Sequence, residues 1–314
     1  MRSQLGLHER SWSDIEFFPA RGIEATPSTE TSDVSKQRLI AFYDRKTQQI
    51  LKRYGPGPRV HYHTGLVDQP PLPDASLEEL RSEVIAAQES TLAHAAEVWN
   101  ARSWLSGKVL DVGCGLGGGA IFWAQEFGAC VTAVTIAPSH IELVRKFAAQ
   151  AGVASRVKTL LGDALDVPGE NRFDAAVAID SSNYLPRRRW FRSLGRLLRA
   201  NGRILIFDTF LGRREYEEPF NRHWHSQIGT IGEYLKAARE AGFKVARIED
   251  VSARAIHFWT RTVALMRMEV QDRTSNDSEA PNMQASMRTH MLVQQGLSDG
   301  GLRVVFLSFV RASA

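Results

Sequence analysis

Residues 108–120 read KVLDVGCGLGGGA, and five of the seven positions from Gly113 to Gly119 are glycine, directly behind a short apolar run that contains Asp111. Glycines between a strand and a helix let backbone N–H groups and a helix N-terminus come close to a ligand. Gly113 to Gly118 meets the G-x-G-x-x-G spacing of a dinucleotide loop, whereas the Gly-Lys-Ser/Thr of a phosphate loop is absent. Two features speak against a hydride-transferring dinucleotide enzyme. Asp111 stands where a pyrophosphate would be repelled, and the next apolar run ends at Thr135 without the carboxylate such enzymes use on a ribose. A second chemical cluster is Asp180-Ser181-Ser182-Asn183-Tyr184, again behind an apolar run, with Asp180 as a candidate base. His61 and His63 alternate on an extended segment, but no third ligand has obvious spacing, so structural or substrate contacts outrank a zinc site.

The elements that must position these groups follow from periodicity. From Lys108 onward, short apolar runs (109–112, 130–136, 157–161, 175–179, 203–208) alternate with helical stretches (120–127, 140–150, 190–199). Continuous apolar runs separated by helices predict an α/β doubly wound parallel sheet. Residues 230–241 read as a helix, 243–251 as extended and 302–310 as a final strand. Upstream, 36–54 has helical spacing and is stopped by Gly55-Pro56-Gly57-Pro58, and a second helix over 76–102 opens on Ser76-Leu77-Glu78-Glu79. These boundaries suggest an arm and linker over 1–35, a helical lid over 36–106, and the sheet domain over 107–314 with a substrate-cover insertion at about 210–300. Trp12, Phe17 and Phe18 suggest an arm that docks on the body or on a neighbouring subunit, hence a homo-oligomer. Residues 272–284 are polar and read as a surface loop.

At Val109-Leu110-Asp111-Val112-Gly113-Cys114-Gly115 the chain resembles the class I S-adenosylmethionine-dependent methyltransferases, whose first motif is hydrophobic-Asp-x-Gly-x-Gly. Leu161-Gly162-Asp163-Ala164 looks like the family's third-strand motif, Phe173 to Asp180 like its fourth strand, and Leu197 to Ile206 like its helix-turn-strand. The resemblance implies a Rossmann-like, seven-stranded sheet with an antiparallel last strand and S-adenosyl-L-methionine as cofactor. It assigns Asp111, Gly113, Cys114, Gly115, Gly162, Asp163 and Ala164 to that cofactor, with Asp111 at its cationic methionine end and Asp163 at the adenine amino group. Val134-Thr135-Ile136-Ala137-Pro138-Ser139-His140 is similar to the branch holding cyclopropane synthases and sterol and tocopherol methyltransferases, which adds Thr135, Ile136 and His140.

Tyr43-Asp44, the His61-Tyr62-His63-Thr64-Gly65 segment and Asp180 to Tyr184 resemble terpenoid C-methyltransferases, such as geranyl diphosphate and teleocidin-type C-methyltransferases. That likeness implies a lid carrying Tyr43, Tyr62 and His63 onto the cofactor, and Asp180 as both cofactor contact and catalytic base, one methylene shorter than the glutamate found there. Tyr184 and His225 join it as catalytic candidates. Tyr54, Arg59, His61, Phe210, Arg222, Trp224 and Trp259 are expected on the substrate. The implied reaction is methylation of an alkene or electron-rich carbon of a terpenoid, prenylated natural product or prenyl diphosphate, through a carbocation. An indole C3-methyltransferase and an oxygen or nitrogen methyltransferase stay open beside it. A diphosphate acceptor would call on Arg59, Arg222, His225 and Arg254, with Mg²⁺; otherwise no metal is expected.

The resemblance implies a small, hydrophobic organic substrate, and the composition bounds a globular protein. Among 314 residues, 43% are hydrophobic and the formal charge is +4, but the only tight basic cluster is Arg187-Arg188-Arg189 at a helix start, so no nucleic-acid partner is expected. No apolar stretch approaches the roughly 20 residues of a membrane span, and a cytoplasmic location is expected. Two cysteines, Cys114 and Cys130, are too few for a disulfide framework and read as buried packing residues.

Overall fold

The computed structural model describes residues 33–271 and 280–312, so the expected docking arm lies outside the described residues. Helix α1 (Asp33–Tyr54) ends where the Gly-Pro pairs begin. Helix α2 (Leu77–Val98) starts with the expected capping box, in which Ser76 and Glu79 satisfy each other's backbone N–H. The expected single helix to residue 102 is broken: Asn100 takes φ 49°, a left-handed conformation asparagine tolerates, and α3 (Ala101–Trp104) follows as a separate turn.

The sheet domain runs β1 (Lys108–Val112), α4 (Gly118–Phe127), β2 (Cys130–Thr135), α5 (Pro138–Gln150), β3 (Val157–Leu161), β4 (Phe173–Ile179), α6 (Arg187–Leu197) and β5 (Leu198–Leu211). It continues through α7 (Glu217–Trp224), α8 (Ile231–Glu240), β6 (Phe243–Asp250), α9 (Ser252–Gln271), α10 (Ala280–Ser298) and β7 (Leu302–Arg311). Strand order is β3-β2-β1-β4-β5-β7-β6, with β1 to β5 parallel and β7 antiparallel to both β5 and β6. This is the Rossmann-like sheet with an antiparallel last strand. Of the polar stretch 272–284 expected as a surface loop, residues 280–284 belong to α10, and 272–279 lie outside the described residues.

Alternation along the central strands divides the interior into two cores. Val109, Val177, Leu205, Phe207, Val304 and Phe306 face α2, α4 and α9, whereas Leu110, Val112, Ala176, Ile204, Ile206 and Val305 face α6 and α8. Period two therefore puts Asp111 on the face of Val109, under the lid helices, and Asp208 on the face of Ile206, against α8. Cys130 is exposed rather than packed; it begins its strand at the sheet end where Gly107 accepts its N–H.

Candidate functional site

Ligands of an open α/β sheet bind beyond the carboxyl ends of its strands, and two adjoining cavities lie there. The first is floored by the glycine turn. Asp111 is 4% exposed, and its Oδ2 has no hydrogen-bond partner. Burial pushes its carboxyl up to about 7 against the lowering effect of the Ala120 N–H. Two glycines cannot be replaced. Gly113 has φ +70°, and a Cβ there would stand 2.7 Å from the Ser181 Cβ; at Gly118 it would stand 2.4 Å from the Val60 carbonyl oxygen and 2.5 Å from His61 Nδ1. The lid segment thus sits directly on the helix start.

The first cavity gathers most residues expected at the cofactor. From β1 and its turn come Asp111, Gly113, Cys114 and Gly115; from the end of β2, Thr135, Ile136 and His140. Gly162, Asp163 and Ala164 follow β3, Asp180 follows β4, and the lid supplies Tyr43, Tyr62 and His63. His140 and Asp163 are among those already engaged. His140 lies with Nε2 3.1 Å from Thr47 Oγ1 and Nδ1 3.5 Å from Thr135 Oγ1, so it ties α1 to β2, and burial lowers its pKa to about 4, keeping it neutral. Asp163 accepts from Leu165 N at 2.9 Å and pairs with Lys36 Nζ at 2.5 Å. An unpaired buried carboxylate above a bare backbone cradle suits a compact ligand with a cationic end and no phosphate. That is the chemistry of S-adenosylmethionine.

The second cavity shares Tyr43, Tyr62, His63, Asp180 and Tyr184 with the first. Asp180 turns the chain there with φ +45°; its N–H donates to Phe207 O at 2.8 Å and its Oδ2 accepts the Thr64 N–H at 2.6 Å, leaving Oδ1 buried without a partner. Behind it, Asp208 is 2% exposed and saturated: Ser182 N and Oγ donate to one oxygen (2.9 and 2.6 Å), Asn183 Nδ2 and Thr209 N to the other (2.7 and 2.8 Å). Tyr234 OH lies 2.9 Å from Ser182 Oγ and donates to Asn183 Oδ1 at 3.1 Å. This buried network fixes the turn on which Asp180 stands. Burial pushes Asp180 up to about 6; Asp208 is raised too, by burial and then by the negative charge of Asp180.

Aromatic rings form the rest of this chamber: Tyr54, Tyr62, Phe220, Trp224, Phe258 and Trp259. Trp259 and His290 meet edge to face with centroids 4.9 Å apart, and Tyr43 OH donates to Tyr184 OH at 3.0 Å. His61 lines the first cavity, with Nε2 2.7 Å from Glu89 Oε2. His225 also lines it, as an exposed rim residue against Phe42.

Three expectations fail on burial and pairing. Arg59 stacks over Phe122 and is held by Glu89, Glu126 and Gln125, away from both cavities. Arg222 is exposed on α7 and paired with Glu218 one turn earlier. Phe210 is fully buried on the opposite face of the sheet, edge to face with Tyr234. Arg254, the remaining candidate for a diphosphate, pairs with Asp68. Among the described residues no group of three or more His, Cys, Asp or Glu side chains could hold a metal, and no helix is long and apolar enough to cross a membrane. Conversely, Asp208, Gln88, Thr64, Phe258 and His290 were not expected. Asp208 alone carried a signal, because it ends the apolar run of a parallel strand on the ligand side.

Residues 109–202 match a family model described as a methyltransferase domain. A probable tocopherol O-methyltransferase of Oryza sativa subsp. japonica is 33% identical over 73% of this chain, and the chain spans 65% of that relative's length. An O-methyltransferase of Aspergillus nomiae is 32% identical over 46% of this chain and 67% of its own. The geranyl diphosphate C-methyltransferase of Streptomyces coelicolor A3(2), solved with Mg²⁺, geranyl diphosphate and S-adenosyl-L-homocysteine, has the same fold: TM-score 0.71 and 18% identity, covering 92% of this chain and 100% of that one.

Proposed function

The chain belongs to the S-adenosylmethionine-dependent methyltransferases, and we propose that it methylates an alkene or electron-rich ring carbon of a terpenoid, prenylated or indole-type natural product. One observation carries this reading: the unpartnered Asp180 Oδ1 stands between a cofactor-shaped cavity and a chamber walled by aromatic rings. When bound, S-adenosylmethionine would supply a sulfonium methyl group for attack by an electron-rich carbon; the carbon–sulfur bond would break to leave neutral S-adenosylhomocysteine, and the acceptor would hold a positive charge and a proton to lose.

Each of those needs has a residue. Asp111 takes the cationic methionine end, and the Gly113 and Gly115 backbone lies beneath it. Tyr43, Tyr62 and His63 close over the same space from the lid and exclude water. Trp224, Trp259 and Tyr54 offer π faces to a developing positive charge. Asp180 Oδ1 accepts the departing proton, with Oδ2 anchored on Thr64 and the turn braced by Asp208. Tyr184 and the Tyr43 hydroxyl it accepts align the edge of the turn.

A prenyl diphosphate fits less well, since among the described residues no Lys or Arg lines the second chamber. The test is mass spectrometry and NMR of products made with methyl-deuterated S-adenosylmethionine from prenylated indole alkaloids, and from geranyl diphosphate with and without Mg²⁺. A labelled C-methyl group on the alkaloid supports this reading. Label on oxygen or nitrogen replaces it with the chemistry named for the rice and Aspergillus relatives or its nitrogen counterpart, and Mg²⁺-dependent labelling of the diphosphate overturns the choice of acceptor.

A further inference from the structure

The unsatisfied polar atoms of the second chamber are mostly of one kind. Gln88 Nε2 donates to His63 O at 2.9 Å, so the atom left without a partner is Oε1, an acceptor only. His63 Nδ1 lies 3.0 Å from the Thr64 carbonyl oxygen; a carbonyl only accepts, so the ring proton is on Nδ1 and the unpartnered Nε2 is a bare lone pair. Burial lowers the His63 pKa to about 3, which keeps that lone pair free. Asp180 Oδ1 is the third unpartnered acceptor. All three are tied to one short segment, because Gln88 and Asp180 both bond its backbone at His63 O and Thr64 N. Among the described residues, the donors that line the same chamber include the indole N–H groups of Trp259 and Trp224 and the hydroxyl of Tyr184, whose oxygen already accepts from Tyr43. His290 Nδ1 is also unpartnered, in a ring held neutral by burial.

Three buried acceptors gathered around one segment favour ligands that can donate to them. Leaving buried acceptors unpaired costs about 1–3 kcal/mol each. An isoprenoid alkene has no N–H or O–H, an alcohol has one, and a diphosphate brings only acceptors and negative charge to a space whose charged lining residues are Asp180 and Asp208. A primary ammonium brings three donors and the matching charge.

We propose that the methyl acceptor carries a protonated amine, which donates to Gln88 Oε1 and His63 Nε2 and whose charge is balanced by Asp180 beside the Trp224 and Trp259 rings. This rests on the reading of the chamber as the acceptor site. Asp180 Oδ1 is then held ionised by a neighbouring cation and stays available for the proton that carbon releases.

Titration calorimetry on the full chain, saturated with S-adenosyl-L-homocysteine, tests it with four probes of one carbon skeleton. Geranylamine is expected to bind at least about tenfold tighter than geraniol, as charge-assisted hydrogen bonds allow. Geranyltrimethylammonium, which has the charge but no N–H, should fall between them, and geranyl diphosphate with Mg²⁺ should bind weakest. Gln88→Met should shrink the amine-to-alcohol ratio severalfold while S-adenosyl-L-homocysteine affinity stays unchanged. Equal binding of amine and alcohol, tightest binding of the diphosphate, or an undiminished ratio in Gln88→Met would overturn the proposal. Carbon methylation of geraniol without an amine preference sinks this inference and spares the carbon chemistry. Nitrogen methylation of geranylamine with the preference intact does the reverse.

Discussion

The two cavities are built by different means. The first is floored by backbone: a glycine turn within seven residues, one buried carboxylate on the strand before it, and a helix start that the lid touches. The second is built from side chains contributed by α1, the 62–64 segment, α2, α7, α9, α10 and the ends of β4 and β5, spread from Tyr43 to His290. A backbone-built site constrains its sequence locally, because close approach excludes any Cβ. A side-chain-built site leaves each position free to be any residue of suitable size, so its chemistry emerges only when distant segments meet.

The sharpest way to break this contrast is at Asp180, which belongs to both cavities. Asp180→Asn should lower turnover by about 10²–10⁴ and leave S-adenosyl-L-homocysteine affinity within a few fold, measured by single-turnover kinetics and calorimetry. Parallel losses would make Asp180 a floor residue instead. Because burial raises its pKa to about 6, kcat/KM of the native enzyme should hold level above that pH and fall about tenfold per unit below it, as the base becomes protonated.

A smaller effect is expected in the floor. Asp111→Asn removes a charge-assisted contact worth about 1.5–3 kcal/mol, so affinity for S-adenosylmethionine should drop about 10- to 100-fold in calorimetry. The same substitution has a signature without ligand. The folded-state pKa of Asp111 is raised from 3.8 to about 7, so its contribution to stability is complete below about pH 4 and is lost as pH rises to about 7. Thermal melts of the ligand-free protein across that window should decline less steeply in Asp111→Asn. The smallest effect belongs to Lys36→Met at the mouth. That pair with Asp163 is partly exposed, and the substitution should change S-adenosyl-L-homocysteine affinity by less than about fivefold. A larger change would extend the floor to the first turn of the lid.

The same contrast decides what was legible. The parallel order of the strands, the capping box at Ser76 and the floor residues Asp111, Gly113 and Gly115 could be read directly, since each is written in neighbouring positions. The break at Asn100 could not, because one left-handed residue leaves the helical periodicity on either side intact. Nor could the fate of Arg59, Arg222 and Phe210: a type and a place in the order say nothing about Glu89, Glu218 or Tyr234 waiting to pair with them. Gln88 and His290 were invisible for the opposite reason, being ordinary helix residues until α2 and α10 close the chamber.

Asp180 combines a left-handed backbone with a buried, half-unsatisfied carboxylate that faces a second one, and folding gains from none of these. Asparagine tolerates φ +45° at least as well, keeps an oxygen for the Thr64 N–H and carries no charge. A selection for heat resistance alone would therefore drift toward Asn at this position and yield a sturdier protein that, with Asp180 as the proposed base, turns over about 10²–10⁴ times more slowly. The place where thermal improvement comes most readily is the place where an engineer must forbid it.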